Sequence, residues 1–184
     1  LKSPGDRHHL WGIPRTEIDR QLRDSTSGPL QAFSIPLDAG SVSTYTLNYE
    51  GCEAIAFRGD TLYVLTESGS DGTEGMTGHV LRGTVASGLE RLQMDGTRVQ
   101  ELPRQTGLAN MSYEALLLDA DTLVALHESN GASANPSPRA YRFDASLELL
   151  GSAPFPTLEY RLTDATAVDE DGRFWVTNYF YPGE

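Results

Sequence analysis

The chain has one lysine, Lys2, one cysteine, Cys52, and no long apolar run in its 184 residues. Each shortage excludes something. Nucleic-acid surfaces need clustered Lys and Arg, whereas here the arginines are scattered and the net charge is −12, so no nucleic-acid partner is expected. A single cysteine allows neither a disulfide framework nor a Cys-based zinc site, and leaves the redox compartment open; beside an apolar run, Cys52 reads as packing. No window approaches the ~18 apolar residues of a membrane-spanning helix, so no membrane span is expected. The G-x-S-x-G elbow, H-E-x-x-H, the P-loop and the dinucleotide fingerprint are all missing, which removes local support for serine-hydrolase and nucleotide chemistry. Helical patterning is confined to one short stretch: Thr16-Glu17-Ile18-Asp19 offers a cap and an acidic first turn, with Ile18 and Leu22 on one face.

What is present is a repeated hairpin. In Glu53 to Ser68, the apolar run Ala54 to Phe57 meets the turn signal Gly59-Asp60, and Leu62 to Leu65 returns rich in β-formers. Glu53 and Glu67 are symmetric about Asp60, so antiparallel pairing centred there predicts the two carboxyl groups side by side. A second copy runs from Glu114 through Ala115-Leu116-Leu117-Leu118 and Asp121 to Leu126-His127-Glu128, and a third from Asp164 through Asp171-Gly172 to Phe174-Trp175-Val176-Thr177-Asn178. In every copy the polar ends are 14 positions apart, and the copies start 61 and 50 residues apart.

Further strands are predicted from Arg7 to Pro14, Gln31 to Leu37, His79 to Val85, Leu89 to Met94, Ala140 to Phe143 and Leu147 to Leu150, with polar loops at Ser68–Gly75 and Ser129–Pro138. About four strands per repeat, with first strands apolar on both faces, predict an all-β fold, a β-propeller with blades covered on each side by neighbours. A two-layer sandwich, which calls for inward–outward alternation, ranks second. The organisation expected is one domain: outer strands of one blade over 1–48, a blade over 49–109, another over 110–160, and the inner hairpin of a further blade over 161–184. Six blades of about 55 residues need roughly 330, so the chain, which opens on Leu1 without methionine or a signal peptide, is expected to be part of a longer protein.

In such a fold the paired ends converge at one channel mouth, gathering Glu53, Glu67, Glu114, Glu128, Asp164 and Asn178, with Ser68, Ser129, Asn130 and Tyr179 just outside. Crowded carboxylates persist by holding protons, pairing with arginine or binding a cation. Oxygen-only ligands of this kind suit Ca²⁺ better than Mg²⁺, which demands a tighter octahedron; the alternative is that the acids cap loops and join blades. His127, beside Glu128, is a candidate general base with Glu128 as its catalytic neighbour, or a structural histidine. Ser70 and Ser129 read as loop hydroxyls, Asp169-Glu170-Asp171-Gly172 as a turn rather than an EF-hand, and Asn110-Met111-Ser112 as a chance glycosylation sequon.

The hairpin at 53–67, Tyr113-Glu-Ala-Leu-Leu-Leu through Leu-His-Glu-Ser-Asn-Gly131, and Thr163-Asp-Ala-Thr-Ala-Val-Asp-Glu-Asp-Gly-Arg-Phe-Trp-Val-Thr-Asn-Tyr-Phe180 resemble the phytase-like β-propeller group, labelled esterase-like activity of phytase. The resemblance spans residue 49 to the end and implies a six-bladed, usually exported propeller, hence an extracytoplasmic location, periplasmic or secreted. It also implies calcium-assisted hydrolysis of a small ester, lactone or phosphoester at the channel mouth, gluconolactonase-type lactonases building a comparable Glu, Asn and Asp site. The rival expectation is a non-catalytic propeller binding a ligand or protein partner on its face.

Overall fold

The structure is a computed structural model, and it describes residues 9–40, 42, 49–69 and 75–180. Lys2, Arg7, His8, Ser70 and most of the glycine-rich loop after Ser68 lie outside the described residues. The protein is mostly β. Among the described residues twelve strands are formed: β1 (His9–Gly12), β2 (Phe33–Asp38), β3 (Tyr49–Arg58), β4 (Thr61–Ser68), β5 (Thr77–Val85), β6 (Leu92–Glu101), β7 (Tyr113–Asp119), β8 (Thr122–His127), β9 (Arg139–Phe143), β10 (Leu149–Pro154), β11 (Arg161–Ala165) and β12 (Val176–Tyr179). The α-helix α1 (Arg15–Arg23) follows β1. It starts at Pro14 rather than on a Thr16 cap and buries no side chain, Leu22 being 81% exposed. Its expected apolar face is therefore unused.

Strands β3 to β6 form an up-and-down antiparallel meander, and β1 and β2 extend its outer edge, β2 running parallel to β6. This six-stranded sheet curls into half a barrel, bringing Ile35, Leu37 and Val42 onto Leu62, Val64, Leu81 and Leu92. The second unit is the four-stranded meander β7–β10, the third the hairpin β11–β12. Strand β7 lies against both β3 and β11, so the three first strands are neighbours.

The second unit's first hairpin is covered on both faces, which explains why its apolar residues do not alternate with polar ones. Ala54, Ala56, Tyr63 and Leu65 of the first unit pack on Leu116, Leu118, Leu123 and Ala125 of the second. On the opposite face, Ala115, Leu117 and Leu126 receive Leu162, Ala165 and Val176 of the third. A sheet buried on both sides needs apolar residues at consecutive positions, as parallel sheets do.

Register departs from the symmetry of the sequence. Pairing runs regularly from Arg58↔Thr61 to Ala54↔Leu65, then slips, so that Cys52 opposes Thr66 and Gly51 opposes Glu67. Glu53 is the extra residue of a β-bulge. Glu114 takes the same place in β7, between Tyr113↔His127 and Ala115↔Leu126. In β11 the slip comes one residue earlier, at Thr163, and Asp164 pairs with Thr177. The expected cross-strand pairing of Glu53 with Glu67 and of Glu114 with Glu128 is thus corrected, because a bulge puts two residues opposite one and displaces everything beyond it, although the Glu114 and Glu128 carboxylates still come within 4.8 Å of each other.

Candidate functional site

Glu128 immediately follows β8 and is completely buried. Its backbone amide donates to the Ser112 carbonyl at 2.9 Å, and its Oε1 accepts the Ser112 amide at 2.9 Å. Its carbonyl accepts the Leu162 amide at 2.9 Å, tying the second unit to the third. Its Oε2 forms an ion pair with the Arg161 guanidinium.

Around it stand two more carboxylates. One oxygen each of Glu67, Glu114 and Glu128 lie within 4.8 Å of one another. Glu67, near the end of β4, is buried, and Glu114 is half-buried. The group spans two units: one acid closes the first unit's second strand, and two belong to the second. The bulge gives β7 a local twist that re-aims one side chain, which is how Glu114 leaves the regular alternation. Burial, the Glu114 charge and, more weakly, the Glu67 charge push the Glu128 carboxyl up to about 8, against the opposing pull of Arg161 and the Ser112 amide.

The other expected members are placed differently. Glu53 and Asp164 lie outside that carboxylate group. Glu53 is half-buried, while Asp164 is exposed and accepts the adjacent Ala165 amide at 2.8 Å. Asn178 is also exposed, its amide donating to the Tyr160 carbonyl at 2.8 Å. His127 is buried edge-on against Tyr113, with ring centroids 5.2 Å apart, and its Nδ1 accepts the Ser129 amide at 3.0 Å. Burial lowers it to about 4, outweighing the contact with the Ser129 backbone. A neutral ring with that nitrogen engaged braces the turn carrying Glu128. Ser68 and Ser129 are buried and Tyr179 is exposed.

Three residues important to this arrangement carry no motif. Arg161 stands where the second repeat has Met111, and only its pairing identifies it. Gln105 and Asn135 fix the loop after Glu128. The Gln105 Oε1 accepts the Arg139 amide at 2.8 Å and the Asn135 side-chain amide at 3.2 Å, and Asn135 also donates to the Ser129 carbonyl at 3.1 Å. Lone polar residues in loops give no pattern from which such bonds could be read.

No family model matches the chain, and neither a curated protein nor a solved structure matches it significantly.

Proposed function

We propose that the chain forms part of a β-propeller whose channel mouth carries a calcium site made by Glu67, Glu114 and Glu128, and that this site assists hydrolysis of a small ester, lactone or phosphoester. Two four-stranded meanders and a hairpin whose first strands are neighbours support the propeller, since adjoining blades meet through their inner strands. On this reading Glu53, Asp164 and Asn178, at matching repeat positions, line the same mouth. One observation carries the site: three carboxylates from two units converge within 4.8 Å. The donor set fits a hard cation, because it offers only oxygens and a charge that burial leaves uncomfortable. A bound calcium ion would polarise the carbonyl or phosphoryl oxygen of the substrate. The chain's own residues would hold and orient: the Ser112 amide and Arg161 fix the Glu128 carboxylate, His127 braces its turn, and the buried setting limits water around it.

A second reading is favoured by the Glu128–Arg161 ion pair, which joins the second unit to the third. There the acids are structural and the face binds a ligand or partner without chemistry. Melting curves with calcium or chelator, on the wild type and on Glu114→Gln, separate the two. Calcium at about 100 times its Kd should add roughly 2.7 kcal/mol, and Glu114→Gln should remove most of that response. A wild type indifferent to calcium would end the first reading. Chromogenic esters, lactones and phosphoesters then test the activity, and inactivity of calcium-loaded protein toward all three classes would leave a cation-binding structural site.

A further inference from the structure

We infer that position 111 decides what neutralises the acids between the first two units. Resting on the calcium reading proposed above, methionine there leaves that place to a divalent cation, and an arginine would fill it.

The repeat makes the two unit boundaries comparable residue by residue. Leu162 pairs with Asn178 across the third unit's hairpin, just as Ser112 meets Glu128 in the second, through its amide at 2.9 Å and its carbonyl at 2.9 Å. Arg161 and Met111, each one residue earlier, therefore hold equivalent places. Across the boundary, Glu128 of the second unit corresponds to Glu67 of the first. At the second boundary that acid takes the Arg161 guanidinium as its ion-pair partner, and Arg161 also donates to the Asn110 carbonyl at 3.3 Å.

At the first boundary the same approach is made without a side-chain charge at the equivalent position. Glu67 pairs across its hairpin with Gly78, and a Cβ at Gly78 would lie 2.9 Å from the Ser112 Oγ, so the residue after Met111 packs on the Glu67 rung. Met111 is half-buried, and a thioether is only a weak acceptor. It brings no counter-charge. The carboxylates of Glu67, Glu114 and Glu128 gather within 4.8 Å all the same. Fully ionised, these three acids less the Arg161 guanidinium leave a formal charge of −2 for the four groups, which a divalent cation matches. An arginine does at the second boundary what an ion would do at the first.

Calcium titrations read by melting temperature and by isothermal titration calorimetry, on the wild type, Met111→Arg and Met111→Leu, test this. In chelator Met111→Arg should melt at or above the wild type, because it carries its own counter-charge. Its calcium affinity should fall by about tenfold or more, the scale on which one nearby opposite charge moves a carboxylate's proton affinity. Met111→Leu, which keeps the bulk and adds no charge, should bind calcium as the wild type does. Met111→Lys replaces the arginine variant if circular dichroism shows that variant misfolded; failure of both to fold would overturn the proposal, since no side-chain cation would then fit there. Unchanged calcium affinity in Met111→Arg, or an equal loss in Met111→Leu, would overturn it while leaving the calcium reading standing. A wild type that binds no calcium would overturn both.

Discussion

A buried carboxylate is held by whatever replaces its water, and for Glu128 that is the Arg161 guanidinium and the Ser112 amide. Removing one partner of a buried pair costs more than the pair contributes, because the survivor is left desolvated and alone. Arg161→Met should accordingly lower stability by about 3 kcal/mol, and adding Glu128→Gln should recover part of it; urea melts that show the double variant no better than the single would refute the pairing as the cause. His79 provides a separate pH handle. It is buried opposite Glu101 on β6, and burial lowers its pKa below the ordinary value of 6.5, the Glu101 charge opposing. The unfolded chain then binds the proton more readily than the fold does. Stability from this residue is fully present above pH 6.5 and is lost as pH falls through the lowered folded value. His79→Gln should flatten that acid limb, as melting temperatures between pH 7 and 4 would reveal.

Among the elements, the hairpins were legible because apolar runs broken by Gly59-Asp60 or Asp171-Gly172 admit few other readings. The bulges at Glu53 and Glu114 were not, since an inserted residue leaves no mark in a pattern apolar on both faces. Strand β5 supplies a test at this scale. It pairs with β6 through Gly83↔Met94, and a Cβ at Gly83 would lie 2.5 Å from the Gln93 carbonyl oxygen. Because that obstacle is backbone, Gly83→Ala should cost roughly 1–3 kcal/mol; a variant as stable as wild type would mean that β6 shifts freely. The Arg58–Asp121 ion pair between the turns of the first two units is exposed and should contribute little.

For the whole molecule, the cores lie between units as well as within them. Tyr63, Leu65, Leu116, Leu123 and Phe143 share one cluster across the first and second units. Units joined through a common core should unfold together rather than singly. Leu116→Ala should cost about 2–5 kcal/mol and lower hydrogen-exchange protection in β3–β6 as much as in β7–β10. Protection lost in the second unit alone would show the shared core to be uncoupled.

By itself the sequence determined the β character, most strand positions, the three-fold return of the hairpin and the acids at its ends, because strand and turn preferences are local and the repeat multiplies each of them. Only the tertiary structure decided which acids meet. Glu67 joins Glu114 and Glu128 across a unit boundary, while Glu53 and Asp164 stay outside and Arg161 supplies the counter-charge. Those choices depend on a one-residue slip in register and on the packing of neighbouring units, and both act between residues far apart in the chain.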